Sequence, residues 1–139
     1  MENILAIDYG EKRVGLALAS ARSKIPTPYK TITVKSQNQL LNEIHGIIIE
    51  WNVNLIVLGI PKKNKQEKLS MKILDFSKKI KDKSKVKIEF IDEDYSSTYA
   101  ESILIEQRQQ GRKKKVKKEE IDRIAATIIL QSWLENELL

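Results

Sequence analysis

The sequence predicts an α/β fold with a five-stranded mixed sheet, in which three antiparallel strands precede two parallel ones. Two observations carry this prediction. Residues 1–34 contain three strand-like segments separated by turns, which is typical of antiparallel pairing. From residue 40 onward, segments of helical period alternate with apolar strand-like segments, which favours parallel crossovers. A chain of 139 residues has the size of one domain, so we assign residues 1–139 to a single domain.

The first three strands are read from apolar runs and turns. Residues 3–8, NILAID, are almost wholly apolar, as in a strand covered on both faces. Residues 14–19 form the second strand of a hairpin, after the turn residues EKR. A polar segment with Pro26 and Pro28 then leads to residues 29–34, YKTITV, which predict the third strand.

Helices and strands alternate in the rest of the chain. Helices are predicted over residues 40–51, 65–81 and 118–137, and a further helix is predicted to begin at the capping box formed by Thr98 and Glu101. Strands are predicted over residues 54–60 and 85–92. Leu69, Ile73, Phe76 and Ile80 give the second helix its buried face. Right-handed crossovers bring the ends of the parallel strands to one edge of the sheet, where α/β proteins bind ligands.

Composition restricts the class of protein. The net charge of +6, from 25 basic and 19 acidic residues, favours a polyanionic partner, although a general enrichment in lysine is an alternative explanation. Because most of the cations are lysines, they suit contact with a phosphate backbone better than reading of bases. The absence of cysteine fits a reducing cytoplasm. With no membrane-length apolar run and no secretory signal, we expect a cytoplasmic protein with no membrane partner.

Three acidic positions are candidates for one site at this sheet edge. Asp8 ends the first strand, Glu93 follows the fifth strand, and Asp122 lies early in the last helix. Each has an ordinary structural explanation, because aspartate is frequent in turns and acids favour helix N-termini. Asp122 fits that explanation least, because it shares a helical stripe with Ala126, Ile129 and Trp133 and so points toward the sheet.

A carboxylate that faces a core needs a compensating charge, and no Arg or His in the neighbouring sequence is an obvious partner of Asp122. A divalent cation would supply that charge. Carboxylates without a Cys or His cluster favour Mg²⁺ or Mn²⁺. Two such ions about 3.5 to 4 Å apart would support hydrolysis of a phosphodiester bond. We therefore predict that Asp8, Glu93 and Asp122 are catalytic metal ligands.

Basic residues near the same edge predict a nucleic-acid groove. They lie at the tip of the first hairpin, after the Gly-Ile-Pro turn and in the segment before the last helix, namely at Lys12, Arg13, Lys62, Lys63, Arg112, Lys113, Lys114 and Lys115. Solvated loops are the alternative for each of these groups. Gly10 and Gly15 would allow close approach of a backbone or a phosphate, although a hairpin also uses glycine in its turn.

Four stretches resemble the bacterial YqgF family: LAIDYGEKRVGLALAS, IVLGIPKKN, IDEDYSSTYAE and IDRIAATIILQSWL. The resemblance implies a ribonuclease H-like fold related to the RuvC type of Holliday junction resolvase. It also implies a nuclease that acts on branched DNA or on the precursor of the small-subunit ribosomal RNA, with metal-binding acids at Asp8, Glu93 and Asp122. Asp94 departs from the family pattern, which has arginine at this position.

Two other functions remain open at this stage. A non-catalytic nucleic-acid-binding module would keep the lysines and have vestigial acids. A nucleotide-dependent phosphotransferase also begins with Asp-x-Gly and a glycine hairpin, but that fold needs two lobes and this chain has the length of one. A junction substrate would favour a dimer, although no stretch of the sequence predicts an isologous interface.

Overall fold

A computed structural model describes residues 2–61, 67–92 and 117–138 of the chain, with side chains up to residue 136. The elements in chain order are β1 (Asn3–Asp8), β2 (Arg13–Ser20), β3 (Thr27–Thr33), α1 (Gln37–Glu50), β4 (Val53–Ile60), α2 (Glu67–Ser84), β5 (Lys87–Asp92) and α3 (Lys118–Leu138). The helix predicted to begin at Thr98 lies outside the described residues.

The five strands form one sheet in the order β3-β2-β1-β4-β5. The β1–β2 and β2–β3 pairs are antiparallel, whereas β1–β4 and β4–β5 are parallel. This arrangement confirms the predicted mixed sheet. It also places β1 at the centre, so that the carboxyl end of β1 lies at the edge where β4 and β5 end.

Side chains of β1 alternate between two cores. Leu5 and Ile7 belong to the core that α1 and α2 cover, whereas Ile4 and Ala6 belong to the core that α3 covers. Since successive strand residues point to opposite faces, Asp8 continues the row of Ile4 and Ala6 and faces the α3 side. The small residues Ala6, Ala17 and Ala19 on that side let α3 pack close to the sheet.

The third strand begins earlier than predicted. It starts at Thr27 and includes Pro28, which the sequence analysis placed in the preceding polar segment. Because β3 is the last strand of the sheet, the missing N–H of Pro28 need not interrupt a ladder on both sides. The ladder with β2 shifts register between Leu16 and Ala17, opposite this part of β3.

The helices match their predicted buried faces. In α2, Ile73, Phe76 and Ile80 are buried and Leu69 packs against the same core. The helix α1 begins before Leu40, because Ser36 and Gln39 form a reciprocal capping box. None of the helices in the described ranges is long and apolar enough to cross a membrane.

Strand β5 is less buried than the other parallel strands. Phe90 has 41% of its surface exposed, whereas Val86 just before the strand is buried. Because β5 is the edge strand at the other end of the sheet, it has a neighbour on one side only.

Candidate active site

Asp8 is the last residue of the central strand, at the carboxyl edge of the sheet. Its partner across the antiparallel ladder is Gly15 of β2. Gly15 lies on the α3 side as well, because it alternates with Val14 and Leu16, which belong to the opposite core. Asp8 and Gly15 therefore form a cross-strand pair that faces α3.

The backbone of Asp122 lies directly on Gly15. A Cβ added to Gly15 would overlap the carbonyl group of Asp122 and would lie 3.0 Å from its Cβ. Facing residues in an antiparallel pair have Cα atoms about 4.5 to 5.5 Å apart. Asp122 is thus seated beside the cross-strand neighbour of Asp8, although the two acids are far apart in sequence.

The N-terminal part of α3 is fixed to the sheet by polar contacts. The hydroxyl of Thr31, in β3, donates a hydrogen bond to the backbone oxygen of Glu119 at 2.7 Å. Nη1 of Arg123 donates to the same hydroxyl at 3.3 Å. These contacts join the residues on both sides of Asp122 to β3, so they restrict movement of the acid relative to the sheet.

Arg13 is the charge partner of Asp122, which corrects the sequence analysis. Its Nε donates a hydrogen bond to Oδ2 of Asp122 at 2.8 Å, across 109 residues of sequence. The two side chains are only 30% and 18% exposed, so the pair is shielded in part from water. Arg13 is not in the sequence next to Asp122, and its charge compensates the carboxylate, so a divalent cation is not the only source of compensation.

Of the three acids predicted to bind metal, Asp8 and Asp122 lie in the described part of the chain. Asp8 and Asp122 bring hard carboxylate donors to the same edge, and this donor chemistry fits Mg²⁺ or Mn²⁺. Glu93 follows Asp92, the end of β5, and lies outside the described residues. Within the residues that are described, no group of three or more potential ligands comes together.

The strand order sets the distance between the ends of β1 and β5. β4 separates these two strands, so Asp92 at the end of β5 lies two strand spacings from Asp8, about 9 to 10 Å away. Gly59 of β4 pairs with Ile91 of β5. Because Gly59 has no side chain, it leaves the space above β4 open between the ends of β1 and β5. That glycine leaves room for a carboxylate above the intervening strand.

Of the predicted basic groove, two residues are described. Lys12 is exposed at the tip of the β1–β2 hairpin, whereas Arg13 points to Asp122. The remaining predicted contacts, Lys62, Lys63, Arg112, Lys113, Lys114 and Lys115, lie outside the described residues. His45, in α1, is half-buried and contacts the hydroxyl of Ser84 through Nδ1 at 2.7 Å, far along the chain from Asp8 and Asp122.

Replacing Arg13 with glutamine should destabilise the metal-free protein by about 1 to 2 kcal/mol, between the values for exposed and buried ion pairs. The reason is that a partly buried carboxylate of Asp122 would lose its cation. Urea unfolding in the presence of a chelator measures this effect, with Lys12→Gln as the exposed control. A double-mutant cycle with Asp122→Asn isolates the pair, and a coupling near zero would contradict it.

The order and pairing of the strands define a class of fold, the ribonuclease H-like fold of RuvC type. Thermus thermophilus RuvC, solved with a Holliday junction substrate, aligns with a TM-score of 0.64 over 98% of this chain and 96% of its own, at 11% identity. The Fowlpox virus resolvase, solved with junction DNA, aligns with a TM-score of 0.60 over 99% of both chains, at 17% identity. At these identities the similarity establishes the shared fold.

The chain belongs to the RuvX family, also called YqgF, which confirms the resemblance found in the sequence. The family model, described as a Holliday junction resolvase, matches residues 2–136. A protein of Caldanaerobacter subterraneus is 33% identical over 96% of both chains, and one of Bacteroides thetaiotaomicron is 34% identical over 99% of both. Both relatives carry the name "Putative pre-16S rRNA nuclease".

Proposed function

We propose that this protein is a metal-dependent endonuclease that hydrolyses phosphodiester bonds in structured nucleic acid. The observation that carries the proposal is the seating of Asp122 on Gly15, directly opposite Asp8 in the ladder. Two acids that are far apart in sequence come together at the carboxyl edge of the sheet. That edge is where α/β proteins bind their ligands.

The comparisons support the substrate class. The family description names a Holliday junction resolvase, and the relatives are named for the precursor of 16S rRNA. We therefore propose structured RNA or branched DNA as the substrate of this chain, with precursor rRNA processing as its role. Such a role belongs in the cytoplasm, and we propose that residues 1–139 perform it as one domain.

Asp8, Glu93 and Asp122 would hold the divalent ions, which we propose to be a pair of Mg²⁺ or Mn²⁺. When bound, such ions act as Lewis acids for the charge that develops on the phosphate oxygens during hydrolysis. Asp8 pairs with Gly15 of β2, and the preceding residue, Ile7, pairs with both β2 and β4, so the backbone that carries the Asp8 carboxylate is held in the sheet. This rigidity sets the position of the first carboxylate.

Arg13 acts on the site through Asp122. By donating Nε–H to Oδ2, the guanidinium limits the rotation of that carboxylate and leaves Oδ1 for another partner. We propose that Lys12, Lys62, Lys63, Arg112, Lys113, Lys114 and Lys115 contact the phosphate backbone of the substrate. Lysine ammonium groups suit that role because they bind phosphate as point charges, with no demand on base identity.

A non-catalytic nucleic-acid-binding module is the second candidate. The Arg13–Asp122 ion pair favours it, because a protein cation already compensates one of the acids. In that case Asp8 and Asp122 would be structural, and nucleic acid would bind without a saturable metal site. Metal titration separates the two functions.

The experiment is a cleavage assay with a panel of four-way DNA junctions and precursor 16S rRNA fragments. We expect cleavage with Mn²⁺ or Mg²⁺ and none with EDTA. Without a metal ion, the carboxylates offer no positive charge to stabilise the phosphate oxygens during hydrolysis. Readdition of Mn²⁺ in excess of the chelator should restore the rate. Cleavage that persists in EDTA would contradict the metal-dependent nuclease, and a duplex of the same length serves as the control for structure-specific cleavage.

A further inference from the structure

A polar groove opens on the opposite face of the sheet from α3, between α1 and α2. This α1/α2 groove has a volume of about 330 Å³, and the residues that matter for its chemistry are Tyr9, Glu11, Gln37, Lys72, Asp75 and Lys79. Tyr9 and Glu11 come from the β1–β2 hairpin, Gln37 begins α1, and the other three lie on α2. Three separate elements therefore supply its walls.

The groove begins at the proposed catalytic edge. Tyr9 follows Asp8 directly in sequence, and its ring contacts Phe76 of the α1/α2 core with centroids 4.8 Å apart. Adjacent residues thus serve the two faces, with Asp8 toward α3 and Tyr9 toward α2. A nucleic-acid strand that passes over the hairpin tip beside Lys12 would enter the groove without a break.

Lys72 and Lys79 are arranged along the groove at a spacing that suits a phosphate backbone. Seven residues apart on α2, they lie within about 20° of one another around the helix axis and about 10 Å apart along it. Along the axis of a duplex this distance is the rise of about three nucleotides, at 3.4 Å each, so the two lysines can contact different phosphates of one strand. Both side chains are about half exposed, so their ammonium groups are accessible from solvent.

The two acids of the groove hold these lysines only weakly. Glu11 accepts a hydrogen bond from Lys72 at 2.5 Å, and Asp75 pairs with Lys79 at 3.0 Å. The side chains of Glu11 and Asp75 are 62% and 63% exposed, and ion pairs at such positions contribute little to stability. Each lysine can therefore exchange its carboxylate for a phosphate oxygen at small cost.

Neutral donors complete the groove. Tyr9 lines the groove, and its phenol hydroxyl can donate a hydrogen bond to a phosphate oxygen. Gln37 lies in the first turn of α1, which contains no acidic residue. The partial positive charge of that helix end is consequently not opposed by a side chain of its own turn.

We propose that the α1/α2 groove is a phosphodiester-binding subsite in which Lys72 and Lys79 contact the substrate strand beyond the catalytic edge. The subsite rests on the proposed nucleic-acid substrate, and it adds a path on the α1/α2 face to the contacts made at the hairpin tip. Lys72 leaves Glu11, and Lys79 leaves Asp75, when the strand binds.

The test measures binding of a labelled precursor rRNA fragment and a four-way junction by anisotropy, in EDTA, over a range of NaCl concentrations. The double variant Lys72→Gln with Lys79→Gln should bind with a weaker dependence on salt. The negative slope of log K against log salt should become less steep by about 1.4 to 1.8, the value for two phosphate contacts. The matched control is Lys78→Gln with Lys81→Gln, which removes the same charge from exposed positions on other sides of α2. An equal decrease in both double variants would overturn the subsite.

A second double variant should bind the nucleic acid more tightly than the wild-type protein does. Glu11→Gln with Asp75→Asn should tighten binding several-fold, because the lysines would no longer have competing carboxylates. A purely structural Lys72–Glu11 contact predicts weaker or unchanged binding in this variant, and that result would also overturn the subsite. Inorganic phosphate should displace the labelled nucleic acid no better than chloride does at equal ionic strength. Displacement by phosphate beyond that level would indicate that the groove is a site for free phosphate instead.

Cleavage by the wild-type protein separates this inference from the proposed function. A wild-type protein that cleaves, together with a salt slope that the groove lysines do not affect, would overturn the subsite and leave the nuclease standing. A protein that does not cleave but whose binding depends on Lys72 and Lys79 would contradict the nuclease and support the subsite.

Discussion

Replacing Asp8 with asparagine should reduce metal-dependent cleavage by about a thousandfold or more, with little change in stability. The substitution removes the charge of the central carboxylate and keeps nearly the same shape. Metal catalysis of this kind provides several kcal/mol of transition-state stabilisation, and each 1.36 kcal/mol is a factor of ten in rate. The loss should therefore appear in single-turnover rates at saturating nucleic acid.

Direct metal binding provides a readout that does not depend on cleavage. Calorimetric titration with Mn²⁺ should show a clear loss of affinity in Asp8→Asn, and urea unfolding should give a midpoint close to that of the wild type. Asp82→Asn is the control. Asp82 is exposed near the end of α2, so this substitution removes the same charge at a position away from the site. Retained cleavage by a rigorously purified Asp8→Asn protein would rule out the proposed role of Asp8.

The order of the elements could be predicted because the sequence contains the periodicities on which it depends. Ile73, Phe76 and Ile80 lie on one side of a helix by their spacing alone, and they are buried in α2. The residues from Ile4 to Ile7 are apolar at consecutive positions because β1 is covered by helices on both faces. Those patterns are local, and a local pattern is readable without the fold.

The direction of Asp122 was readable in the same way, but its partner was not. Helical period shows that Asp122 shares a face with Ala126 and Ile129, which are buried against the sheet. The cation that meets it, Arg13, comes from the start of β2, 109 residues away. Such a contact depends on how α3 is placed across the sheet, and no spacing within either segment contains that information.

The role of Gly15 also depends on the fold and could not be predicted from the sequence. In the sequence it is one of two glycines in a hairpin, and a turn would explain both of them. In the fold it lies within β2 as the ladder partner of Asp8, and it is the point at which the Asp122 backbone meets the sheet. Its role is set by the packing of α3, so the sequence could not distinguish close approach of a backbone from close approach of a phosphate or from a glycine that only serves the turn.

Replacing Gly15 with alanine should therefore impair both stability and cleavage. The new Cβ would overlap the carbonyl group of Asp122, and a backbone atom in a helix cannot rotate away as a flexible side chain can. Overpacking of this kind costs about 1 to 3 kcal/mol, and valine at the same position should cost more. Because relief requires α3 to move away from β2, Asp122 would also move away from Asp8.

Gly46→Ala is the matched control, because a Cβ at Gly46 meets no atom within 4 Å. In the interior of α1 this change should stabilise the protein by about 0.5 to 1 kcal/mol, so the two glycine variants should shift the urea midpoint in opposite directions. Calorimetry with Mn²⁺ then tests the site, since displacement of Asp122 should weaken metal binding in Gly15→Ala and leave it intact in Gly46→Ala. Wild-type stability, metal affinity and cleavage in Gly15→Ala would show that α3 does not rest on Gly15, and the convergence of Asp8 and Asp122 would lose its structural basis.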